Sequence, residues 1–199
     1  MSSLNIIPPN LPNAPNQYEP RYHDQFGNVL RLFFTNLVSK VNAPLPHGSF
    51  YDTTTQTNPV AGDVNLMKFS NVYAISRATQ FAIRRDTDRI YVSQTGVYNI
   101  QFSAQLDKTT GGSATTHIWI RVNGENVPNS ATKVVISGNN DEKVAAWNWL
   151  LALKENDYIE IAWSADSTNV VLLAEPAAGN IPEIPSVIVS VTWASAIGV

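Results

Sequence analysis

The chain contains no cysteine. This excludes disulfides and thiolate metal sites and leaves the redox compartment open. Charge is also scarce. Only 15% of the 199 residues are Asp, Glu, Lys or Arg, where an ordinary globular protein has about a quarter. The net charge is -3, so the basic face needed to bind a phosphate backbone is missing and no nucleic-acid partner is expected. The one tight basic pair, Arg84 and Arg85, is followed at once by Asp86 and Asp88. No run of about 18 apolar residues occurs, so no membrane insertion is expected. The opening MSSLNIIPPN has neither a basic start nor a long apolar stretch. It does not read as a secretory signal, and synthesis in a cytoplasm without passage through a translocon is expected.

Catalytic patterns are missing too. The three histidines, His23, His47 and His117, lie in different segments and share no metal-ligand spacing. There is no nucleophile elbow, phosphate loop or Gly-rich dinucleotide turn. Asp86-Thr-Asp88 reads as a solvated turn beside Arg84, Arg85 and Arg89, with a cation site as the rival reading. Asn139-Asn-Asp-Glu142 is acidic enough for a loose calcium site, yet lacks the alternating ligands of a dedicated loop. The expectation is no catalytic residue, no cofactor-binding residue, no metal ligand and no cofactor. The chain reads as a non-enzyme.

What is present is organised in three regions. Residues 1–20 interleave Pro8, Pro9, Pro12, Pro15 and Pro20 with Asn5, Asn10, Asn13 and Asn16. Proline fixes φ and lacks an amide donor, so this is an extended arm, either a free tail or a segment that orders on a partner through Ile6, Ile7 and Leu11. Residues 21–47 form a helix and a hinge. Phe26, Leu30, Phe33 and Leu37 recur at spacings of four, three and four, the seam of a short coiled coil or of an amphipathic helix. Pro20 suits the first helical turn, and Gly27 weakens the helix by about 1 kcal/mol relative to Ala. Asn42-Ala-Pro-Leu-Pro46 ends it. About two heptads cannot hold chains together unaided, so the helix needs a neighbouring domain or a partner.

Residues 48–199 form the head, and most of it alternates with period two. Tyr98, Ile100, Phe102, Ala104 and Leu106 point one way, while Asn99, Gln101, Ser103 and Gln105 point the other, which is a half-buried strand over 97–106. Further strands are expected at 117–122, 132–137, 144–153, 158–164, 169–174 and 187–194. Weaker ones are expected at 49–57, 66–74, 80–84 and 89–93. Asn123-Gly124 is the strongest hairpin signal, because both positions need positive φ. Ten or eleven short strands without an internal repeat predict an all-β, two-sheet antiparallel jelly roll.

Aromatic residues on strands fill a core or a subunit interface. Trp119 alternates with Ile118 and Ile120, so one face of that strand is expected to be apolar on its outer side, which marks a protein interface or, as the rival reading, a sugar-stacking platform.

Three stretches carry a family resemblance: Gly96-Val-Tyr-Asn-Ile-Gln-Phe102, Ile118-Trp-Ile-Arg-Val-Asn-Gly-Glu125 and Leu153-Lys-Glu-Asn-Asp-Tyr-Ile-Glu-Ile161. They resemble the GxYxF strand, the NG hairpin and the GD-turn strand pair of the complement C1q / tumour necrosis factor jelly roll. Asn156 stands where that family usually has glycine, and Asn tolerates the left-handed geometry. Gly48-Ser-Phe-Tyr-Asp-Thr-Thr-Thr-Gln56, Arg89-Ile-Tyr-Val-Ser93, Phe102-Ser-Ala-Gln-Leu-Asp-Lys108 and Ser167-Thr-Asn-Val-Val-Leu-Leu-Ala-Glu-Pro176 look like uncharacterised structural proteins of tailed bacteriophages. The resemblance implies a C1q-like homotrimer used for binding. Its expected interface comprises Phe26, Leu30, Phe33 and Leu37 on the helix and Ile118, Trp119, Ile120, Trp147, Trp149 and Trp193 on the head.

The leading expectation is a virion structural protein, assembled in the host cytoplasm. It would be a spike, fibre or capsid decoration that contacts other virion proteins through residues 1–42. The alternative is an attachment module for a host-surface glycan or receptor. A third reading, a depolymerase, needs paired carboxylates in a groove, and only scattered ones occur.

Overall fold

The structure is a computed structural model that describes residues 8–41, 46–75, 83–138 and 141–196. Ile6 and Ile7, the hinge at 42–45, the start of the strand expected at 80–84, and Asn139 with Asn140 lie outside the described residues. The chain separates into two compact units, Met1–Pro44 and Leu45–Ile197.

In the first unit, residues 8–19 carry neither helix nor strand. Helix α1 spans Pro20–Val41. Proline opens it because the first helical amide has no intrahelical acceptor in any case. Phe26, Leu30, Phe33 and Leu37 are all half-buried, whereas Leu32, Phe34 and Val38 are exposed.

The second unit is built of strands. In chain order they are β1 (His47–Asp52), β2 (Gln56–Thr57), β3 (Asn65–Leu66), β4 (Asn71–Ile75), β5 (Ile83–Asp86), β6 (Arg89–Val92) and β7 (Gly96–Lys108). There follow β8 (Ala114–Val122), β9 (Glu125–Asn126), β10 (Thr132–Ile136), β11 (Asp141–Leu153), β12 (Tyr158–Ala165), β13 (Val170–Leu172) and β14 (Val187–Ser195). They form two antiparallel sheets. In the front sheet β7 is the spine. β11 pairs along its whole length on one side, and β14 and β13 share the other side end to end. β14 leads on to β1 and β4, and β13 leads to β2. The back sheet runs β10-β8-β12-β6-β5, with β9 on β8 and β3 on β12. The chain changes sheet from β7 to β8, from β10 to β11, from β11 to β12 and from β12 to β13, which is the jelly-roll weave predicted from the alternation.

The alternating residues define the core. Tyr98, Ile100, Phe102, Ala104 and Leu106 are each at most 2% exposed, and Ile118, Ile120, Ile161 and Trp163 meet them from the back sheet. Each large side chain so buried contributes about 1.5–3 kcal/mol. Burial pushes the Tyr98 phenol up to about 12, and its hydroxyl donates to the Gln94 carbonyl at 2.8 Å. Asn123 (φ 53°) and Gly124 (φ 83°) make the expected tight hairpin between β8 and β9. Asn156 sits at φ 70°, the left-handed position that the resemblance required of it.

Two expected strands are each broken. The segment 49–57 divides into β1 and β2, and 66–74 divides into β3 and β4. The second break has a topological reason. β3 pairs in the back sheet and β4 in the front, so Met67–Ser70 must cross between them. Met67 and Phe69 plug the core on the way. Asp52, fully buried, fastens the crossing by accepting hydrogen bonds from the amides and hydroxyls of Ser70 and Thr54. Gln56 fastens it further, exchanging two side-chain hydrogen bonds with the Lys68 backbone.

Candidate functional site

The two sheets share a core but present different outer faces. On the front sheet, β7 turns out Asn99, Gln101 and Ser103, β14 turns out Ser190 and Thr192, and β11 turns out Val144, Ala146, Asn148 and Leu150. Asn148 donates to Asn99 at 3.0 Å, and the Ser49 and Ser190 hydroxyls lie 3.0 Å apart. Among the outward residues of β1, β7, β11 and β14 the only Asp, Glu, Lys or Arg are Asp107 and Glu142, opposite each other at one end. Apolar groups are left in solvent: Val144 is 62% exposed, Leu150 63% and Tyr73 58%, the last stacked on Tyr51 at 4.0 Å. β11 is also an edge strand, bonded only to β7 among the described residues. Such an edge offers a row of free backbone donors and acceptors.

On the back sheet the outer face is charged and aromatic. Glu160 is 2% exposed although it points outward, because Arg89 (3.1 Å) and Arg121 (3.5 Å) cover it. Arg89 also lies over the Tyr158 ring at 4.7 Å, and Arg84 lies over Tyr91 at 4.3 Å. The Tyr91 and Tyr158 rings are 5.4 Å apart. Hydrogen bonding to Tyr91 and Glu160 holds the Arg89 guanidinium protonated beyond its ordinary range.

This arrangement corrects two of the head residues expected at an interface, Ile118 and Ile120. Ile118 and Ile120 are 0% exposed in the sandwich core, so no neighbour can touch them. Trp147 and Trp149 lie on the core side of β11. Trp149 stacks on Phe102 at 5.1 Å and donates to the Ser130 carbonyl, and Trp147 meets Phe102 edge-on at 4.7 Å. Trp193 is half-buried and lies against Gly96. Trp119 does face outward, but onto the charged back face, where its indole donates to Asn126 at 2.8 Å. The apolar outer face expected on the Trp119 strand is found instead on the front sheet. The signal for it was present in the alternation: the positions between the core residues of β7 and β11 hold amides, hydroxyls and aliphatics.

Recesses among the described residues of the head include two open ones. A cleft of about 460 Å³ lies where β2 and β3 diverge, with Thr57, Lys68, Asp88 and Trp163 among its walls. A shelf of about 390 Å³ is lined by Arg84, Tyr91, Val92, Ser93 and Asn156. In the first unit His23 packs its ring against Tyr18 and Tyr22, and in the second His47 opens β1 and His117 faces outward from β8. Asp141 accepts a hydrogen bond from the Ser137 amide at 2.9 Å. Among the described residues no three His, Cys, Asp or Glu side chains lie within reach of one metal ion. No described helix is long and apolar enough to cross a membrane.

No family model matches the sequence, and no curated protein matches it. Among solved structures the chain is similar to murine APRIL at pH 8.5, with 9% identity, 76% of this chain and 100% of that chain covered, and a TM-score of 0.49. Murine APRIL at pH 5.0 gives 10% identity, the same coverage and a TM-score of 0.49. The globular domain of the zebrafish complement 1qA protein gives 12% identity, covers 77% of this chain and 100% of that chain, and has a TM-score of 0.44.

Proposed function

We propose that the chain is a non-enzymatic structural component of a bacteriophage particle whose jelly-roll heads associate as a homotrimer through the outer face of the front sheet. One observation carries the association: that face is almost free of charge, yet it exposes Val144, Leu150 and Tyr73. Depletion of charge marks the centre of a protein interface, and apolar groups of this size in solvent mark an interaction site. Closed association around an axis hides such a face without building filaments. The number three and the virion setting rest on the segment resemblance described above. In this reading Phe26, Leu30, Phe33 and Leu37 continue the association along α1, and residues 1–42 contact other virion proteins.

Sedimentation equilibrium tests it. The full chain should run at three times its 21.8 kDa at micromolar concentration. The chain lacking residues 1–42 should still associate, more weakly. A 21.8 kDa species for the full chain would overturn the proposal, and a dimer would keep the buried face but remove the resemblance as a guide.

A further inference from the structure

The back sheet holds the same device twice, and only one copy is complete. Arg89 stacks on Tyr158 and is neutralised by Glu160. Arg84 stacks on Tyr91 in the same way, at 4.3 Å, but no carboxylate meets it among the described residues. Stacking fixes a guanidinium in place and leaves its in-plane donors free for a planar anion. Arg84 therefore presents an oriented fork with an empty acceptor position.

What surrounds that fork narrows the ligand. Arg84, Tyr91, Ser93 and Asn156 all line the 390 Å³ shelf. That volume is within the range of small-ligand sites, about 300–1,000 Å³. The Asn156 backbone is held by a 2.9 Å bond from its amide to the Val92 carbonyl, with φ at 70°. Its side-chain amide and the Ser93 hydroxyl make no hydrogen bond among the described residues, so both are available to a ligand. A guanidinium fork stacked on a tyrosine ring, with an amide and a hydroxyl in the same recess, suits a carboxylate carried on a polyhydroxylated ring.

We propose that this shelf is a subsite for an acidic sugar, the hexuronate unit of a surface polysaccharide, with its carboxylate on Arg84 and its hydroxyls on Ser93 and Asn156. The site lies on the outer face of the back sheet, away from the face proposed for association. It stands or falls separately from the oligomeric state.

The test is calorimetric titration of the full-length protein with α-1,4-trigalacturonate and, separately, with its neutral methyl ester. Binding of the acid should be at least tenfold tighter than that of the ester and should weaken as salt is raised. Arg84→Gln should lower affinity for the acid at least tenfold. Asn156→Gly, which keeps the left-handed turn but removes the amide, should lower it severalfold. Lys133→Gln, on the same face but on β10, should change nothing. Equal binding of acid and ester, unchanged affinity in the Arg84→Gln variant at an unchanged melting temperature, or no binding of millimolar trigalacturonate would each overturn the proposal. Displacement of the sugar by an equal concentration of inorganic phosphate would also overturn it, since the shelf would then read charge alone.

Discussion

The front and back sheets bury similar aliphatic and aromatic side chains against each other, yet their outer faces have almost nothing in common. Across β7, β11 and β14 the front sheet shows amides, hydroxyls and aliphatics, with Asp107 and Glu142 only at one end. The back sheet shows Arg84, Arg89, Arg121 and Lys133 with Asp86 and Glu160, interleaved with Tyr91, Tyr158 and Trp119. The low charge of the chain is thus not evenly diluted. It is withdrawn from one face and kept on the other. A face facing water gains solubility from charge, whereas a face that meets another protein must desolvate any charge it carries. The difference is what the proposed association requires, one sheet against other copies and the other against solvent.

One charge placed on each face in turn tests whether copies meet at the front sheet. Gln101→Lys puts an ammonium in the middle of the front face. If copies meet there, like charges confront one another at a penalty of several kcal/mol, and each 1.4 kcal/mol is about tenfold in affinity. The assembly should weaken at least a hundredfold and sediment as a 21.8 kDa monomer where the parent associates. Ser164→Lys on the back face should leave the association unchanged. If both variants dissociate, or neither does, the two faces are not distinguished by their neighbours.

Much of this was legible in the residue pattern, and the parts that were not have physical reasons. Period-two alternation located β7, β8, β11, β12 and β14 to within a few residues, because one face of each strand packs against the core. Asn123-Gly124 located its hairpin by the backbone geometry it demands. Pattern failed where a strand changes sheets. Residues 66–74 look continuous, but Met67 and Phe69 face the core during a crossing, not along a ladder. It also left the sides of two strands undecided. Alternation places Trp147 and Trp149 on one face of β11 but does not say which face is the core. Ile118 and Ile120, expected at an interface, proved to be the core itself. The Arg84 shelf could not be read from sequence at all, because Arg84, Ser93 and Asn156 are brought together by three separate segments.

The front sheet's core edge can be probed at its tightest point. A Cβ at Gly96 would run into the Trp193 indole and lie 2.8 Å from the Ser195 carbonyl, where β14 already shifts register against β7. Gly96→Ala should destabilise the head by about 1–3 kcal/mol, the usual range for overpacking. Urea unfolding measures it. Trp193→Phe in the same chain should recover part of the loss, and strict additivity of the two changes would show that the indole is not the obstacle.

The link between the sheets should be pH-dependent. Burial alone would raise the Asp52 pKa, but hydrogen bonds from Ser70 and Thr54 outweigh it and hold the carboxyl below its ordinary 3.8. A folded pKa depressed in this way means the contribution is complete above 3.8 and fades as pH falls through the folded value. Asp52→Asn should therefore lower stability at pH 7 by about 2 kcal/mol, the range for hydrogen bonds to a charged acceptor. The gap between variant and parent should narrow as the pH drops below 3.8. A constant gap from pH 7 down to pH 2 would mean that the charge plays no part.

The back sheet's inner face holds one buried hydroxyl that its neighbours leave unmatched. Thr116 is 0% exposed on β8, and its hydroxyl meets no hydrogen-bond partner among the described residues. A buried polar group left unpaired is unfavourable by about 1–3 kcal/mol, whereas an apolar group of the same shape carries no such penalty. Valine keeps both the β-branch and the volume, so the strand backbone and its neighbours Ala114 and Ile118 need not move. Thr116→Val should raise stability by about 1 kcal/mol, visible as a higher urea midpoint at an unchanged slope. A lower midpoint would show that the hydroxyl has a partner, such as a trapped water, that valine cannot replace.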